Sequence, residues 1–229
     1  MKSSIIVFPG SNCDRDVAVA IKNVTNTTPQ MLWHKETSIN NTDLIILPGG
    51  FSHGDYLRSG SIASRAPIMK EVIKYANNGI PVVGICNGFQ ILTECGLLPG
   101  VLMRNKNMNF ICKYVNLISK NKNLWVKDNE INKVISYPVA HHDGNYFANK
   151  DDLEILVKNN RIVFQYCSND GKIDEKANIN GSVNNIAGIT NDNGNVLGMM
   201  PHPERAIDNR LGGSDGINFF ENILNVIGT

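Results

Sequence analysis

The chain has 229 residues, 42% of them hydrophobic and 19% charged, with a formal net charge of +1. That is apolar content enough for one substantial core and too little net charge for a general pull toward nucleic acid or an anionic membrane. Five cysteines with no CxxC spacing and no clustering with histidine argue for a reducing compartment, no disulfide framework and no metal site. No run approaches transmembrane length, so a cytoplasmic single domain over residues 1–229 is expected.

Ile5-Ile6-Val7-Phe8 reads as a first strand rather than a leader, and Ser11-Asn12-Cys13-Asp14 has the Ser-x-x-Asp form of a helix start. Val17, Ala20, Ile21 and Val24 then recur at helical spacing. Met31-Leu32-Trp33 and Leu44-Ile45-Ile46-Leu47 read as strands. Pro67 stands at an expected first helical position, Ile68, Val72, Ile73 and Ala76 supply a buried stripe, and Gly79 ends the helix. Short apolar runs alternating with amphipathic ones predict β-α-β units on a parallel sheet.

Beyond Gly100 the pattern shifts to strand-like runs at Ile111–Ile118, Arg161–Cys167, Ile186–Thr190 and Val196–Met200, separated by asparagine-rich loops. These predict an antiparallel extension. A last helix follows Ser214-Asp215, with Phe220, Ile223, Leu224 and Ile227 on one face and Gly228 past its end.

The segment with the clearest chemistry is Gly84-Ile85-Cys86-Asn87-Gly88-Phe89-Gln90, between the apolar run Ile80–Val83 and a helix-like stretch. A cysteine between two close glycines at a strand-to-helix turn is the thiol form of a nucleophile elbow. Glycine permits so tight a turn, and the unpaired amides of the next helix favour a thiolate. Pro201-His202-Pro203-Glu204, directly after the run Val196–Met200, offers a base and its brace. Two prolines are expected to hold that segment extended, so that His202 and Glu204 project to the same side. The rival bases His141 and His142 lie in a run that reads as a flexible loop, and His34 and His53 have no carboxylate at matching spacing. Gly49 and Gly50 end a strand in bare amides which, with the amide of Asn87, are expected to form an oxyanion hole. Cysteine, histidine, glutamate and such a hole imply acyl transfer through a thioester without naming the acyl group.

The elbow and the Pro-His-Pro-Glu segment resemble the paired signatures of class I glutamine amidotransferases. The blocks Val7–Asp14, Trp33–Thr37, Leu47–Ser52, Gly54–Arg58 and Asn195–Met200 resemble the branch of that family that feeds a purine-biosynthetic synthetase. The resemblance implies a flavodoxin-like three-layer αβα sandwich with a central mostly parallel sheet. It implies that Cys86 attacks the side-chain amide of glutamine, and that His202, braced by Glu204, activates the water that releases glutamate. Gln90, one helical turn past the nucleophile, lines the glutamine pocket or else caps and packs the helix. No phosphate loop of the GxxxxGK[ST] or GxGxxG kind is present. The ammonia is therefore expected to pass through a tunnel to a large synthetase subunit carrying ATP and magnesium, with a small bridging subunit and no cofactor or metal in this chain. The sequence departs from the family pattern at His53, Ser59, His142 and Asp143, where tyrosine, cysteine, glycine and glutamate are usual. The alternatives are a glutaminase serving a different synthetase, a DJ-1-like or cysteine-peptidase-like hydrolase, and a scaffold with a dead site.

Overall fold

The computed structural model describes residues 1–227; Gly228, expected just past the last helix, lies outside them. The strands are β1 (Ser3–Val7), β2 (Gln30–Trp33), β3 (Leu44–Leu47), β4 (Val82–Ile85), β5 (Val101–Met103), β6 (Ile111–Ile118), β7 (Val134–His141), β8 (Asn145–Phe147), β9 (Ile162–Cys167), β10 (Ile186–Thr190) and β11 (Val196–Met199). The helices are α1 (Asp14–Thr25), α2 (Met69–Asn77), α3 (Asn87–Glu94), α4 (Lys150–Lys158) and α5 (Gly216–Ile227).

Nine strands form one sheet in the order β2-β1-β3-β4-β11-β10-β9-β6-β7. The first five are parallel and follow the flavodoxin-like order, while β10, β9, β6 and β7 continue antiparallel. Every residue of β3 and β4 is buried, as expected for parallel strands covered on both faces. Helix α1 packs on β1 and α5, and α3 packs on β3, β4 and β11. The β5–β8 pair forms a separate small sheet whose β5 lies against α3.

The antiparallel half curls. Laid flat, β7 would stand four strands, about 19 Å, from β11. Instead the carbonyl of Pro138 in β7 accepts from the amide of His202, just past β11, at 2.8 Å. Proline is tolerated there because β7 is the sheet's edge.

Several local expectations change. Ser11 does not cap α1: its hydroxyl accepts from the Phe8 amide, and Cys13 takes the N-cap position without a side-chain cap bond. Pro67 lies two residues before α2, whose N-cap is Ile68. β11 is antiparallel only toward β10, because on its other side it completes the parallel set beside β4. The helix α4 was not anticipated, although Asn149 caps it through the Asp152 amide at 2.8 Å. Among the described residues no helix is long and apolar enough to cross a membrane.

Candidate active site

Cys86 sits between β4 and α3 with φ 51° and ψ −103°, a left-handed geometry that non-glycine residues rarely adopt. Such a backbone costs about 1–3 kcal/mol and persists only where its surroundings impose it. The surroundings do so here: the Cys86 amide donates to the Met199 carbonyl at 2.7 Å, and its carbonyl accepts from Gln90 at 3.2 Å. The two glycines are required by close approach. A Cβ on Gly88 would stand 2.0 Å from the Leu47 carbonyl oxygen, and one on Gly84 would stand 2.6 Å from the Gly88 backbone. The turn thus presses the elbow between β3 and β11, placing a buried thiol at the N-terminal end of α3, where backbone amides point outward. The thiol makes a long contact to the Ala140 carbonyl of β7 at 3.8 Å and faces the His202 side chain.

His202 and Glu204 are both buried, and His202 Nδ1 lies 2.7 Å from Glu204 Oε1. The pairing arises differently from the extended-chain expectation: Pro203–Arg205 is a single 3-10 turn begun by Pro203, which brings Glu204 under the ring. Burial opposes a charge on His202, but the Glu204 carboxylate, negative charge on the Cys86 sulfur, and the contacts to the Cys13 and Cys86 sulfurs outweigh it and hold the imidazole well above its usual range. Nε2 has no hydrogen-bond partner, which leaves the face coupled to Cys86 open for a proton. The ring can therefore take the thiol proton while Glu204 holds the opposite nitrogen.

The run Ala140–Gly144 is not the flexible loop its composition suggested. His141 ends β7, is 2% exposed, and has its Nδ1 3.0 Å from Asn105 Oδ1. Burial drives its pKa down to about 3, so His141 is a neutral ring and a weak base. Asp143 pairs with Arg104 at 3.0 Å and accepts from Ser59 at 2.9 Å. The departures at Ser59, His142 and Asp143 thus lie together, with His142 Nδ1 3.0 Å from Arg104.

Gly49 and Gly50 follow β3 and face the elbow. A Cβ on Gly49 would stand 2.6 Å from His202 Cε1. Gly50 has φ +140°, and a Cβ there would meet the Asn12 amide and the Gly10 carbonyl at 2.7 Å, so both positions are confined to glycine. Asn87, first residue of α3, accepts from the Ser52 amide at 3.2 Å and donates to Gln90 at 2.9 Å. Gln90 in turn donates to the Asp143 carbonyl at 2.7 Å. Asn87 and Gln90 thereby join the glycine loop, α3 and the β7–β8 turn in one polar network. Asp55 edges that network 3.4 Å from Asn87, and burial raises its carboxyl to about 6.

Two residues in the site were not singled out from the sequence. Cys13 is buried, and its ligand atom lies within 4.8 Å of those of His202 and Glu204. This spacing would suit a soft metal, but Arg205 Nη2 donates to Cys13 Sγ at 3.1 Å. A guanidinium on the thiol puts positive charge where a cation would have to sit. Only spatial proximity reveals the pair, since Cys13 and Arg205 stand near opposite ends of the chain. His53, Asp55, Tyr56 and Arg58, the polar groups after the glycine loop, divide: Arg58 pairs with Glu94 at 2.7 Å, His53 packs its ring on His34, and Tyr56 is exposed.

Residues 1–212 match the CobB/CobQ-like glutamine amidotransferase domain. The chain belongs to the glutamine amidotransferase family. It is 51% identical to the phosphoribosylformylglycinamidine synthase subunit PurQ of Pelagibacter ubique, covering 98% of this chain and 99% of that one. It is also 51% identical to the PurQ subunit of Zymomonas mobilis, over 99% of this chain and 100% of its relative. The solved structure of PurLQS from Thermotoga maritima superposes with a TM-score of 0.85 at 41% identity, covering 98% of this chain and 97% of that one. Glutamine amidotransferases carry out the acyl transfer that a thiol, a braced imidazole and nearby bare amides can support.

Proposed function

We propose that the chain is the glutaminase subunit of phosphoribosylformylglycinamidine synthase, supplying ammonia for the ATP-dependent conversion of formylglycinamide ribonucleotide to formylglycinamidine ribonucleotide. The observation that carries the reading is the strained Cys86 elbow beside the buried His202–Glu204 pair, in a chain that matches PurQ subunits along nearly its whole length. Cys86 Sγ attacks the side-chain carbonyl carbon of glutamine and its proton passes to His202 Nε2. The oxyanion is met by the amides of Asn87 and of Gly49 or Gly50. His202 then gives its proton to the leaving nitrogen, ammonia departs, and a glutamyl thioester remains on Cys86. Water, losing a proton to His202 Nε2, attacks the thioester; as the C–S bond breaks that proton passes to the Cys86 sulfur, glutamate leaves and the thiol is restored. Gln90 supports this pocket through Asn87 and the Asp143 carbonyl.

The partners under this reading are a large synthetase subunit that holds ATP and magnesium and a small bridging subunit, with ammonia crossing the interface through a tunnel. Tyr56 and Leu57, 74% and 87% exposed on the loop that follows Gly49-Gly50, offer apolar surface for that contact. The test combines two measurements. A glutamine-mimicking diazo-ketone is expected to label Cys86 alone, with glutamine protecting it. A Cys86→Ala variant mixed with the partner subunits is expected to lose glutamine-dependent product and keep ammonia-dependent product. Labelling spread over the other cysteines without protection, or loss of both products, would refute the reading.

A further inference from the structure

The elbow accounts for the carboxamide end of a glutamine but not for its α-ammonium and α-carboxylate, which branch from a carbon about 4 Å beyond the reacting one. A cluster of mixed charge stands within comparable reach. Gln90, whose amide donates to the Cys86 carbonyl, is one helical turn or about 5.4 Å along α3, and its Nε2 donates to the Asp143 carbonyl at 2.7 Å. Asn87, next to the nucleophile, donates to Gln90 at 2.9 Å and lies 3.4 Å from Asp55 Oδ1. Arg104 closes the group, with Nε 3.0 Å from Asp143 Oδ1 and Nη1 3.0 Å from His142 Nδ1. The Phe110 ring lies 5.4 Å from that of His142 and 6.5 Å from that of Phe51, the residue after Gly50. An aromatic ridge thus joins the cluster to the glycine loop.

The cluster is incomplete in both signs. Burial raises the Asp55 carboxyl to about 6 and Asp143 adds to the rise, against the opposing pull of Ser59, Arg104 and His142. Among the described residues no basic group forms an ion pair with Asp55. Arg104 is half exposed, and among the described residues its Nη2 has no protein partner. The other charged pairs near the elbow are closed: Arg58 is seated on Glu94 at 2.7 Å, and Arg205 is shared between Cys13 and Asp16. A zwitterion carries one group of each sign on a single carbon and would complete both halves of the cluster at once.

Resting on the glutaminase reading, we propose that Asp55 and Arg104 form the receptor for the amino-acid end of the substrate, Asp55 taking the α-ammonium and Arg104, seated on Asp143, the α-carboxylate. Free glutamine is thereby preferred over a glutamine side chain within a peptide, whose α-nitrogen and α-carbonyl carry no charge.

The test pairs variants with substrate analogues that lack one charge. Cys86 in the reconstituted complex is alkylated with iodoacetamide, a neutral probe with no amino-acid end, and peptide mapping gives the competitor concentration that halves the rate. The competitors are glutamine, glutaramate, which lacks the α-ammonium, and 4-aminobutanamide, which lacks the α-carboxylate. With wild type, each analogue is expected to be about tenfold weaker than glutamine. Asp55→Asn is expected to weaken glutamine and 4-aminobutanamide about tenfold and to leave glutaramate unchanged. Arg104→Gln is expected to weaken glutamine and glutaramate about tenfold and to leave 4-aminobutanamide unchanged, with Arg104→Lys recovering part of the loss. Equal losses for all three compounds, or variants that glutamine protects as well as wild type, would overturn the proposal. Failure of the parent reading looks different, since glutamine would then protect Cys86 in wild type no better than in any variant, at any concentration. Asp55 and Arg104 are both partly exposed, so their variants are expected to fold, and thermal unfolding checks this directly. A merely structural role would not make the loss follow the charge missing from the ligand.

Discussion

Gly49→Ala perturbs the geometry around His202 without removing any side chain of the site. The added methyl would stand 2.6 Å from His202 Cε1 and 3.2 Å from both Nδ1 and Cys13 Sγ. The ring cannot swing away cheaply, because Nδ1 is tied to Glu204 at 2.7 Å and the His202 amide is tied to Pro138 at 2.8 Å. Reaching ordinary contact near 3.4 Å needs a displacement of about 0.8 Å. Misplacing a reacting group by about 1 Å costs up to about a hundredfold in rate. The expected loss in kcat/KM is therefore about 10- to 100-fold, or about 1.4–2.7 kcal/mol. Gly49 lies outside the left-handed region, so its backbone is not strained by alanine, but forcing a buried ring aside is overpacking and is expected to cost about 1–3 kcal/mol of stability, which urea unfolding measures alongside. The assay is glutamine hydrolysis by the complex, with diazo-ketone labelling of Cys86 as a second readout. Gly213→Ala is the control, since its methyl meets Tyr114 at an ordinary 3.5 Å. Wild-type kcat/KM in Gly49→Ala, or an equal loss in the control, would refute the reasoning.

Two further outcomes are expected. Gly88→Ala forces a methyl to within 2.0 Å of the Leu47 carbonyl oxygen, so α3 and β3 must part; urea unfolding is expected to show a loss of about 3 kcal/mol, and a loss under about 1 kcal/mol would count against the tight elbow. Asp55 has its carboxyl raised from 3.8 to about 6, first by burial and further by Asp143, so the folded state binds the proton more tightly than the unfolded chain. Stability is then greatest below about pH 4 and falls as pH rises to about 6, and Asp55→Asn is expected to flatten that segment of the unfolding profile and to stabilise at neutral pH by about 1 kcal/mol after allowing for partial exposure. An unchanged slope in the variant would show that Asp55 is not the titrating group.

How much of this was legible in the sequence depended on whether the cause was local. The strands Ile111–Ile118 and Ile186–Thr190 occur with those limits, because alternation and turn residues are written within a few positions of each other. The elbow was legible for the same reason: strand, glycines and helix are contiguous. β7 was missed because Pro138 interrupts its pattern, and only the edge position that tolerates proline explains the strand. His141 read as part of a loop because the residue that holds it, Asn105, lies 36 positions away. The Pro-His-Pro-Glu segment pointed to the contact between His202 and Glu204 that the structure contains, but through a different backbone, since a 3-10 turn also brings residues two apart together.

The antiparallel half is best understood as a wall of the site rather than an appendage to the parallel sheet. Strands β4 and β11 are neighbours in register, Gly84 opposite Gly198 and Ile85 opposite Met199. Their carboxyl ends therefore deliver Cys86 and His202 side by side, as parallel strands with a topological switch commonly do. Two strands alone would leave that crevice open on one side. The curl of β10, β9, β6 and β7 closes it, bringing the Pro138 and Ala140 carbonyls to His202 and Cys86. These carbonyls alternate with residues of the buried face along β7, so a one-residue slip of its pairing with β6 would turn both away. The placement of His202 thus depends on strand pairing far earlier in the chain. A site assembled from such distant segments exists only when both halves of the sheet are folded, which makes glutamine-protected labelling of Cys86 a probe of the whole fold as well as of the thiol.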